Sequence, residues 1–250
     1  MERDVAKWDA LFDAYKRDNP GTTFGNFYAD WVLDKIRDGK PVNALGPKLR
    51  DRKTGEKREF GTAGITIYKS YAKRFGIEPH HKLVDYGCGS FMTGVHFIRA
   101  LDAGNYFGLD VTPHFMEMGK DMIGRAVLGA KCPRSAVIGE QSLAAAVAFQ
   151  ADFVISNAVA YHVHPEDMDY YLNNLRRLCA KPGCTLVLDA MISRSPFRYK
   201  LSGWSWPLAD FVQRLEPLVF LGALGKKKVI EEKTMQTDER TYAFLPFRRM

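Results

Sequence analysis

The sequence predicts an α/β protein whose mostly parallel sheet is covered by helices on both faces. From Lys82 onward, short apolar strands alternate with helical segments. Strands that are apolar on both faces and joined by helical crossovers are typical of a parallel sheet between two helix layers. The chain has 250 residues, 46% hydrophobic and 26% charged, which suffices for one such domain and an accessory region.

Residues 1–80 are expected to form a separate N-terminal helical cap. Apolar side chains recur there at three- and four-residue spacing: Val5, Trp8, Phe12 and Tyr15. This spacing predicts a first helix, which Asn19-Pro20-Gly21 ends. A second helix is expected over 27–37. A third contains the apolar positions from Ile65 to Phe75 and ends at Gly76.

Residues 81–250 are expected to form the main domain. The predicted strands are 82–86, 106–110, 136–139, 152–156 and 185–189, and the predicted helices are 91–101, 113–123 and 165–180. Residues 228–233 and 241–245 predict an antiparallel strand pair added to the sheet at its C-terminal end. Residues 191–225 are expected to be an insert on the substrate side, with aromatic residues that include Trp204, Trp206 and Phe211.

Composition and charge favour a cytoplasmic protein with an anionic partner. No apolar run reaches the ~20 residues of a membrane helix, and the first residues are polar where a signal peptide is apolar. The net charge is +7, with basic residues concentrated in 48–58 and 226–228. The four cysteines contain no C-x-x-C pair, which predicts buried, reduced thiols.

A glycine-rich turn after the first strand is the strongest functional motif. It reads Asp85-Tyr86-Gly87-Cys88-Gly89, and glycines in such a turn let the backbone approach a ligand closely. Asp110 ends the next strand, 23 residues after Gly87. A carboxylate there can accept hydrogen bonds from both hydroxyls of a ribose. Ligands of such sheets lie beyond the carboxyl ends of the strands. The pattern therefore predicts a nucleoside site.

The same residues favour S-adenosylmethionine (SAM) over NAD. A G-x-G-x-x-G motif would place glycine where this chain has Met92, so the helix N-terminus matches a pyrophosphate poorly. Asp85 would repel a pyrophosphate, whereas it would attract the sulfonium and ammonium of SAM. The predicted cofactor is therefore SAM.

These residues resemble the first two motifs of class I SAM-dependent methyltransferases of the small-molecule type. Segments 137–140, 154–162 and 175–188 resemble later motifs of that family, so the similarity covers about residues 80–190. The resemblance implies a Rossmann-like, seven-stranded, mostly parallel sheet and a methyltransferase activity.

The resemblance also implies roles for individual residues. Asp85 would hold the ammonium of SAM, Gly87 and Gly89 would line its methionine part, and Asp110 would accept the ribose hydroxyls. Glu140 and Gln141 would reach the adenine. The complete predicted cofactor set is Asp85, Gly87, Cys88, Gly89, Asp110, Val111, Glu140, Gln141 and Asn157.

Two histidines follow the fourth strand, where the methyl acceptor is expected. A hydroxyl acceptor must lose its proton, and histidine suits a general base because its ordinary pKa of ~6.5 is near neutrality. His162 and His164 are the candidates, although His164 precedes Pro165 and can equally cap the helix that begins there. A site of both histidines with Asp189 would suit magnesium poorly, since magnesium prefers oxygen ligands. No metal is predicted.

The leading hypothesis is methyl transfer to oxygen of a small molecule, bound between the N-terminal helices and the 191–225 insert. Methyltransferases of exocyclic base amines carry an Asn/Asp-Pro-Pro-Tyr/Phe motif after the fourth strand. This chain has Asn157-Ala158-Val159 there, so it departs from that motif and base-amine methylation is disfavoured. An RNA methyltransferase is a second hypothesis that the positive charge supports, but no RNA-binding module is recognisable. A non-catalytic SAM-binding partner protein is the third, and the intact Asp85, Gly87, Gly89 and Asp110 oppose it.

Overall fold

A computed structural model describes residues 2–38, 60–62, 64–223 and 239–250. The basic segment 48–58, the lysines 226–228 and the predicted strand 228–233 lie outside these residues. The chain divides into two compact units: residues 31–153 form one, and residues 1–30 with 154–250 form the other.

Nine α-helices occur in the described residues: α1 (Glu2–Asp18), α2 (Phe24–Arg37), α3 (Ile65–Phe75), α4 (Gly94–Ala100), α5 (Pro113–Ile123), α6 (Arg125–Lys131), α7 (Glu140–Ala148), α8 (Met168–Leu178) and α9 (Leu208–Arg214). The three predicted N-terminal helices are confirmed, although α2 begins three residues earlier than expected. None of the described helices is long and apolar enough to cross a membrane.

The described part of the chain also contains nine strands: β1 (Leu83–Tyr86), β2 (Tyr106–Asp110), β3 (Arg134–Val137), β4 (Phe153–Ser156), β5 (Thr185–Ile192), β6 (Phe197–Lys200), β7 (Gly203–Ser205), β8 (Val219–Phe220) and β9 (Thr241–Arg248). Seven of them form one sheet in the order β3-β2-β1-β4-β5-β9-β8, and β6 and β7 form a separate hairpin.

The sheet confirms the predicted architecture. β1 pairs with β2 and β2 with β3 in parallel, whereas β9 is antiparallel to both β5 and β8. β5 continues three residues past the predicted end because it pairs with β9 along its whole length, from Thr185 to Ile192. The described antiparallel partner at the sheet end is Val219–Phe220, which precedes the predicted 228–233 strand.

In the unit of residues 31–153, small residues allow close packing around the first strands. A Cβ at Gly94 would lie 2.3 Å from the Tyr106 hydroxyl, and one at Gly119 would lie 2.3 Å from the Ser90 carbonyl oxygen. The helix predicted to start at residue 91 starts at Gly94 instead. Phe91 still belongs to the preceding turn, because its φ of 59° is incompatible with a right-handed helix.

In the unit of residues 1–30 and 154–250, aromatic side chains join α1 to the start of α2. Trp8 and Phe27 lie 5.1 Å apart between ring centroids, and Phe12 and Phe24 are also 5.1 Å apart. All four rings are buried. These contacts explain why the apolar spacing in the sequence produces two stable helices, since isolated helices of this length are marginal without tertiary packing.

Three of the four cysteines are buried, and all four are free thiols. The prediction of buried thiols is wrong for Cys132, which is exposed. It caps the C-terminus of α6 with a left-handed φ of 45°. Neither α6 nor its cap was recognised in the sequence.

Candidate functional site

The loop after β1 is shaped by glycines. Gly87 and Gly89 have φ values of 82° and 52°, in the left-handed region that favours glycine. The Gly87 and Cys88 N–H groups donate to the Leu109 carbonyl at 2.7 and 3.0 Å, so the loop folds back onto the end of β2. A Cβ at Gly89 would meet nothing within 4 Å, which leaves open space beside the backbone.

Asp110 fastens this loop from the end of β2. Its Oδ2 accepts the Gly89 N–H at 2.7 Å, and its Oδ1 accepts the Thr112 N–H at 3.4 Å. The side chain is only 6% exposed. Burial raises the pKa of Asp110 to about 6, and the backbone N–H donors oppose that shift. The predicted ribose acid and the predicted glycine turn therefore form one hydrogen-bonded structure.

The Asp85 side chain is also buried, with 3% of its surface exposed. Its Oδ2 accepts a hydrogen bond from the Tyr106 hydroxyl at 2.7 Å. Burial raises its pKa to about 7, the tyrosine hydrogen bond lowers it, and the charge of Asp110 raises it further. Two acids of the same sign thus share one poorly hydrated region, and a cation bound there would favour their ionised forms.

The other predicted cofactor residues of this unit lie after β1, β2 and β3. Cys88 is buried and packs on β2, where a Cβ at Gly108 would lie 2.9 Å from its Sγ. Val111 follows Asp110 and is half-buried. Glu140 and Gln141 begin α7 and are exposed, three and four residues after Val137, the register partner of Asp110. Their contact with adenine stays a prediction.

In the other unit, Asp189 organises the loop after β4. Its Oδ2 accepts the Asn157 side-chain N–H at 2.8 Å and the Tyr242 hydroxyl, and its Oδ1 accepts the Ala158 N–H at 2.6 Å. Asp189 is fully buried, which raises its pKa to about 6 against these three hydrogen bonds. Ala158 has a φ of 61°, which is uncommon for a non-glycine residue.

This role of Asp189 was missed in the sequence. The signal was present, because a lone acid interrupts the apolar run of β5, and buried charged groups are normally paired or hydrogen-bonded. Asn157, predicted to face the cofactor, directs its amide at Asp189. Among the described residues, no group of three His, Cys, Asp or Glu side chains is arranged to hold a metal ion.

His162 ends a 3-10 turn, Ala160–His162, beyond this loop. Its Nδ1 lies 2.5 Å from the Ser202 carbonyl oxygen, in the turn between β6 and β7. The Tyr28 ring is nearly parallel to the imidazole, 13° between planes and 6.3 Å between centroids. Part of the ring is exposed, but neighbouring protein atoms displace enough water to lower its pKa.

His164 has a different environment, two residues on. Its Nδ1 accepts the Glu166 N–H at 3.3 Å, which makes it the cap of the next 3-10 turn. Its ring stacks on Phe24 at 5.2 Å and contacts the edge of Trp204 at the same distance. Burial lowers its pKa as well. Of the two candidate bases, His164 thus has the contacts of a capping and packing residue.

Three aromatic residues of the 191–225 insert belong to the core of their unit. Trp204, Trp206 and Phe211 are all buried. Trp204 contacts the Phe24 ring at 5.2 Å, and the Arg198 guanidinium lies 5.0 Å from its ring centroid. The described part of the insert contains the β6–β7 hairpin, α9 and β8, and the hairpin supplies the carbonyl that contacts His162.

Three enzymes are among the solved structures with a similar fold. Magnesium protoporphyrin IX methyltransferase (ChlM) from Synechocystis PCC 6803, with bound SAH, is 11% identical with a TM-score of 0.58, covering 91% of this chain and 98% of that chain. The [4+2]-cyclase SpnF is 13% identical with a TM-score of 0.56, covering 74% and 80%. Phosphoethanolamine N-methyltransferase 2 from Haemonchus contortus, in complex with SAM, is 12% identical with a TM-score of 0.52, covering 74% and 52%.

No family model matches the chain, and no curated protein is similar to it in sequence. The structural similarities define the fold, which is that of class I SAM-dependent methyltransferases. They confirm the fold that the motifs around Asp85 and Asp110 predicted.

Proposed function

We propose that the protein is a SAM-dependent methyltransferase that acts on a small-molecule acceptor. The observation that carries this proposal is the hydrogen bond between the Gly89 N–H and the Asp110 carboxylate. The glycine turn leaves open space beside its backbone, and the acid at the end of β2 is hydrogen-bonded to that same turn. This arrangement suits a ribose whose hydroxyls donate to the carboxylate while the rest of the ligand follows the turn.

The charges around the turn fit SAM better than a dinucleotide. Asp85 and Asp110 are buried carboxyls, and neither forms an ion pair with a cationic side chain among the described residues. A pyrophosphate would add further negative charge, whereas a cationic ligand would stabilise both carboxylates. When bound, SAM would supply a methyl group on a positively charged sulfonium. Asp85 would face its ammonium and Asp110 its ribose.

Methyl transfer to oxygen is the chemistry that His162 supports best. A neutral imidazole can remove the proton of an acceptor hydroxyl at its unprotonated nitrogen, and such general-base catalysis contributes ~10²–10⁴-fold. The lowered pKa of His162 favours the neutral form at pH 7. Alignment of donor and acceptor would supply much of the remaining acceleration. The net charge of +7 favours an anionic acceptor.

The structural neighbours support this proposal in part. ChlM and the Haemonchus enzyme are named methyltransferases, and both structures hold SAM or its product SAH. SpnF is a [4+2]-cyclase, so the fold alone does not specify methyl transfer. Asp85, Asp110 and His162 of this chain are therefore the residues that favour methyl transfer. A cytoplasmic location stays a prediction of the sequence.

Two measurements test the proposal. Calorimetric titration should detect binding of SAM and of SAH and little heat from NAD, and Asp110→Asn is the control for the site. Incubation with methyl-labelled SAM should then transfer label to an acidic fraction of a small-molecule extract, with total RNA as a parallel substrate. Tight NAD binding without SAM binding would overturn the cofactor assignment. Label found in RNA alone would overturn the small-molecule acceptor.

A further inference from the structure

The contact between His162 and Ser202 specifies where the imidazole carries its proton. A carbonyl oxygen can only accept a hydrogen bond, so at 2.5 Å the Nδ1 atom must be the donor. The ring nitrogen that bonds to a fixed partner determines the state of the other nitrogen. No described residue hydrogen-bonds to Nε2. In the neutral ring, Nε2 therefore presents its lone pair.

In His164, two residues along the chain, Nδ1 accepts a hydrogen bond and does not donate one. Its Nδ1 accepts the Glu166 backbone N–H, so Nδ1 holds the lone pair and Nε2 holds the proton of the neutral ring. Partial loss of hydration lowers the pKa of each histidine, which favours the neutral form of both at pH 7. Two histidines separated by one residue thus hold different tautomers, and Nε2 is an acceptor in His162 alone.

Arg198 anchors the two residues that precede Ser202 in the β6–β7 turn. The Arg198 guanidinium donates to the Lys200 carbonyl at 3.2 Å and to the Leu201 carbonyl at 3.0 Å, which anchors the turn just before Ser202. It also donates to Asp9 of α1 at 2.6 Å. One planar cation therefore connects the β6–β7 turn to the N-terminal helix.

We propose that the β6–β7 turn is the base-positioning element of the methyltransferase site: the Ser202 carbonyl sets His162 as the Nδ1–H tautomer, and Arg198 anchors the turn through the two residues before Ser202. This inference depends on the proposed function. The acceptor's O–H bond breaks and an N–H bond forms at Nε2. The electron pair left on oxygen forms the new bond to the methyl carbon, while the sulfur of bound SAM would keep the electron pair of the broken S–C bond and leave as SAH. The resulting imidazolium keeps its Nδ1–H on Ser202 and later releases the Nε2 proton to solvent. Arg198 and Ser202 are positioning residues, since they act through His162.

The tautomers can be measured directly in the full chain, without SAM or an acceptor. Long-range ¹H–¹⁵N correlation spectra of protein labelled with ¹⁵N-histidine distinguish Nδ1–H from Nε2–H, and His162→Gln and His164→Gln assign the two signals. At pH 7.5 we expect Nδ1–H for His162 and Nε2–H for His164. An Nε2–H signal for His162 would overturn the inference while leaving SAM binding and methyl transfer open to measurement.

Arg198→Lys tests the anchoring step, because lysine cannot donate to two carbonyls and a carboxylate from one planar group. The Nδ1–H fraction of His162 should fall, kcat should fall with it, and SAM affinity should stay constant. Arg214→Lys is the matched control. Arg214 also lies over a tryptophan, 5.8 Å from Trp206, and pairs with an aspartate, Asp169, but it has no contact with the turn.

An unchanged Nδ1–H fraction in Arg198→Lys, or the same loss in Arg214→Lys, would overturn the positioning role. If Arg198→Lys does not fold, Asp9→Ala removes the acceptor on α1 and should lower the Nδ1–H fraction by a smaller amount; no change would overturn the role as well. A failure of the proposed function looks different: His162 keeps the Nδ1–H tautomer, but labelled SAM yields no product.

Discussion

The Gly89 N–H donates to the Asp110 carboxylate at 2.7 Å, so the acid expected to bind a ribose also fixes the turn on which the ligand would lie. Shortening the Asp110 side chain to alanine cannot separate these two roles. Alanine at position 110 would leave a partly buried N–H without its acceptor, and an unmade buried hydrogen bond costs about 1–3 kcal/mol. Asparagine keeps an acceptor oxygen and removes the charge.

Asp110→Asn should therefore fold and bind SAM about 10- to 100-fold more weakly, since a hydrogen bond to a charged group contributes about 1.5–3 kcal/mol. Calorimetric titration measures the change. Asp102→Asn, at an exposed acid in the same unit, is the control and should bind as the parent does. Equal affinity of Asp110→Asn and the parent would assign the ribose role to another residue.

SAM affinity should rise with pH between about 5.5 and 8. The pKa values of Asp85 and Asp110 are raised to about 7 and about 6, and a cationic ligand requires the ionised carboxylates. For one carboxyl with a pKa of about 7, binding at pH 5.5 should be roughly 30-fold weaker than at pH 8. Binding near pH 6.5 should also release protons, which calorimetry in buffers of different ionisation enthalpy detects. A pH-independent affinity would contradict the raised pKa values.

The stability of the ligand-free protein should change in the opposite direction. In the unfolded chain these carboxyls ionise near their ordinary pKa of 3.8, whereas in the folded protein they stay protonated to about pH 6–7. The folded state then binds more protons, so their contribution to the free energy of unfolding falls as pH rises from about 4 to 7. Thermal unfolding with and without SAM measures both trends, and Asp110→Asn should flatten the ligand-free trend.

His162→Gln should lower kcat by about 10²–10⁴-fold at nearly unchanged SAM affinity, because a general base acts on the acceptor. Since the pKa of His162 is lowered, the activity of the parent should decline only below pH 6.5, where His162 becomes protonated. The variant should lack this acidic limb of the pH–rate profile. His164→Gln is the matched variant and should lose stability more than turnover. Unchanged kcat in His162→Gln would make His162 structural, and the catalytic pattern in His164→Gln would move the base to that residue.

Asp189→Asn should destabilise the protein by about 1–3 kcal/mol. The new amide N–H₂ would face at least one of the groups that now donate a hydrogen bond to Asp189. Tyr242→Phe removes only one of the three hydrogen bonds and should cost about 0.5–1.5 kcal/mol. Urea denaturation gives both free energies of unfolding. The reverse ranking would mean that the loop after β4 is held by contacts other than Asp189.

Gly94→Ala should destabilise the protein by about 1–3 kcal/mol, the usual cost of overpacking a filled site. The added methyl group would lie 2.3 Å from the Tyr106 hydroxyl and 3.2 Å from Asp85 Oδ2, so it would disturb the Asp85–Tyr106 hydrogen bond. Gly129→Ala in α6 is the matched control, because its Cβ meets nothing within 4 Å. That substitution should be neutral or stabilising by up to about 1 kcal/mol.

The predictable part of the fold is the part in which local pattern and burial agree. The bounds of β2 and α5 match the prediction residue by residue, because β2 is buried throughout and Thr112-Pro113 marks the start of the helix. By contrast, α7 was not predicted, since its alanine-rich sequence carries no distinct apolar stripe. The start of α4 was misplaced because a left-handed Phe91 leaves no mark in a hydrophobicity pattern.

The candidate site also has one part that the sequence predicts and one part that it does not. The joining of Gly89 and Asp110 follows from a motif in which strand, turn, helix and acid succeed each other along the chain. The contacts of Asp189 with Asn157 and with Tyr242, and of His162 with Ser202, join residues 32, 53 and 40 positions apart. No periodicity or motif encodes such pairs, so they became visible only in the folded chain.

Cys132 is the only exposed cysteine of the four, and it lies two residues before β3. Thiol reagents need an accessible sulfur, and the buried Cys88, Cys179 and Cys184 should react far more slowly while the protein is folded. A maleimide dye would then attach at one known position of the natural sequence. β3 is parallel to β2 and Val137 is the partner of Asp110, so Cys132, five residues before Val137, lies at the end of this strand pair away from Asp110. A label at Cys132 should therefore leave the candidate cofactor site free.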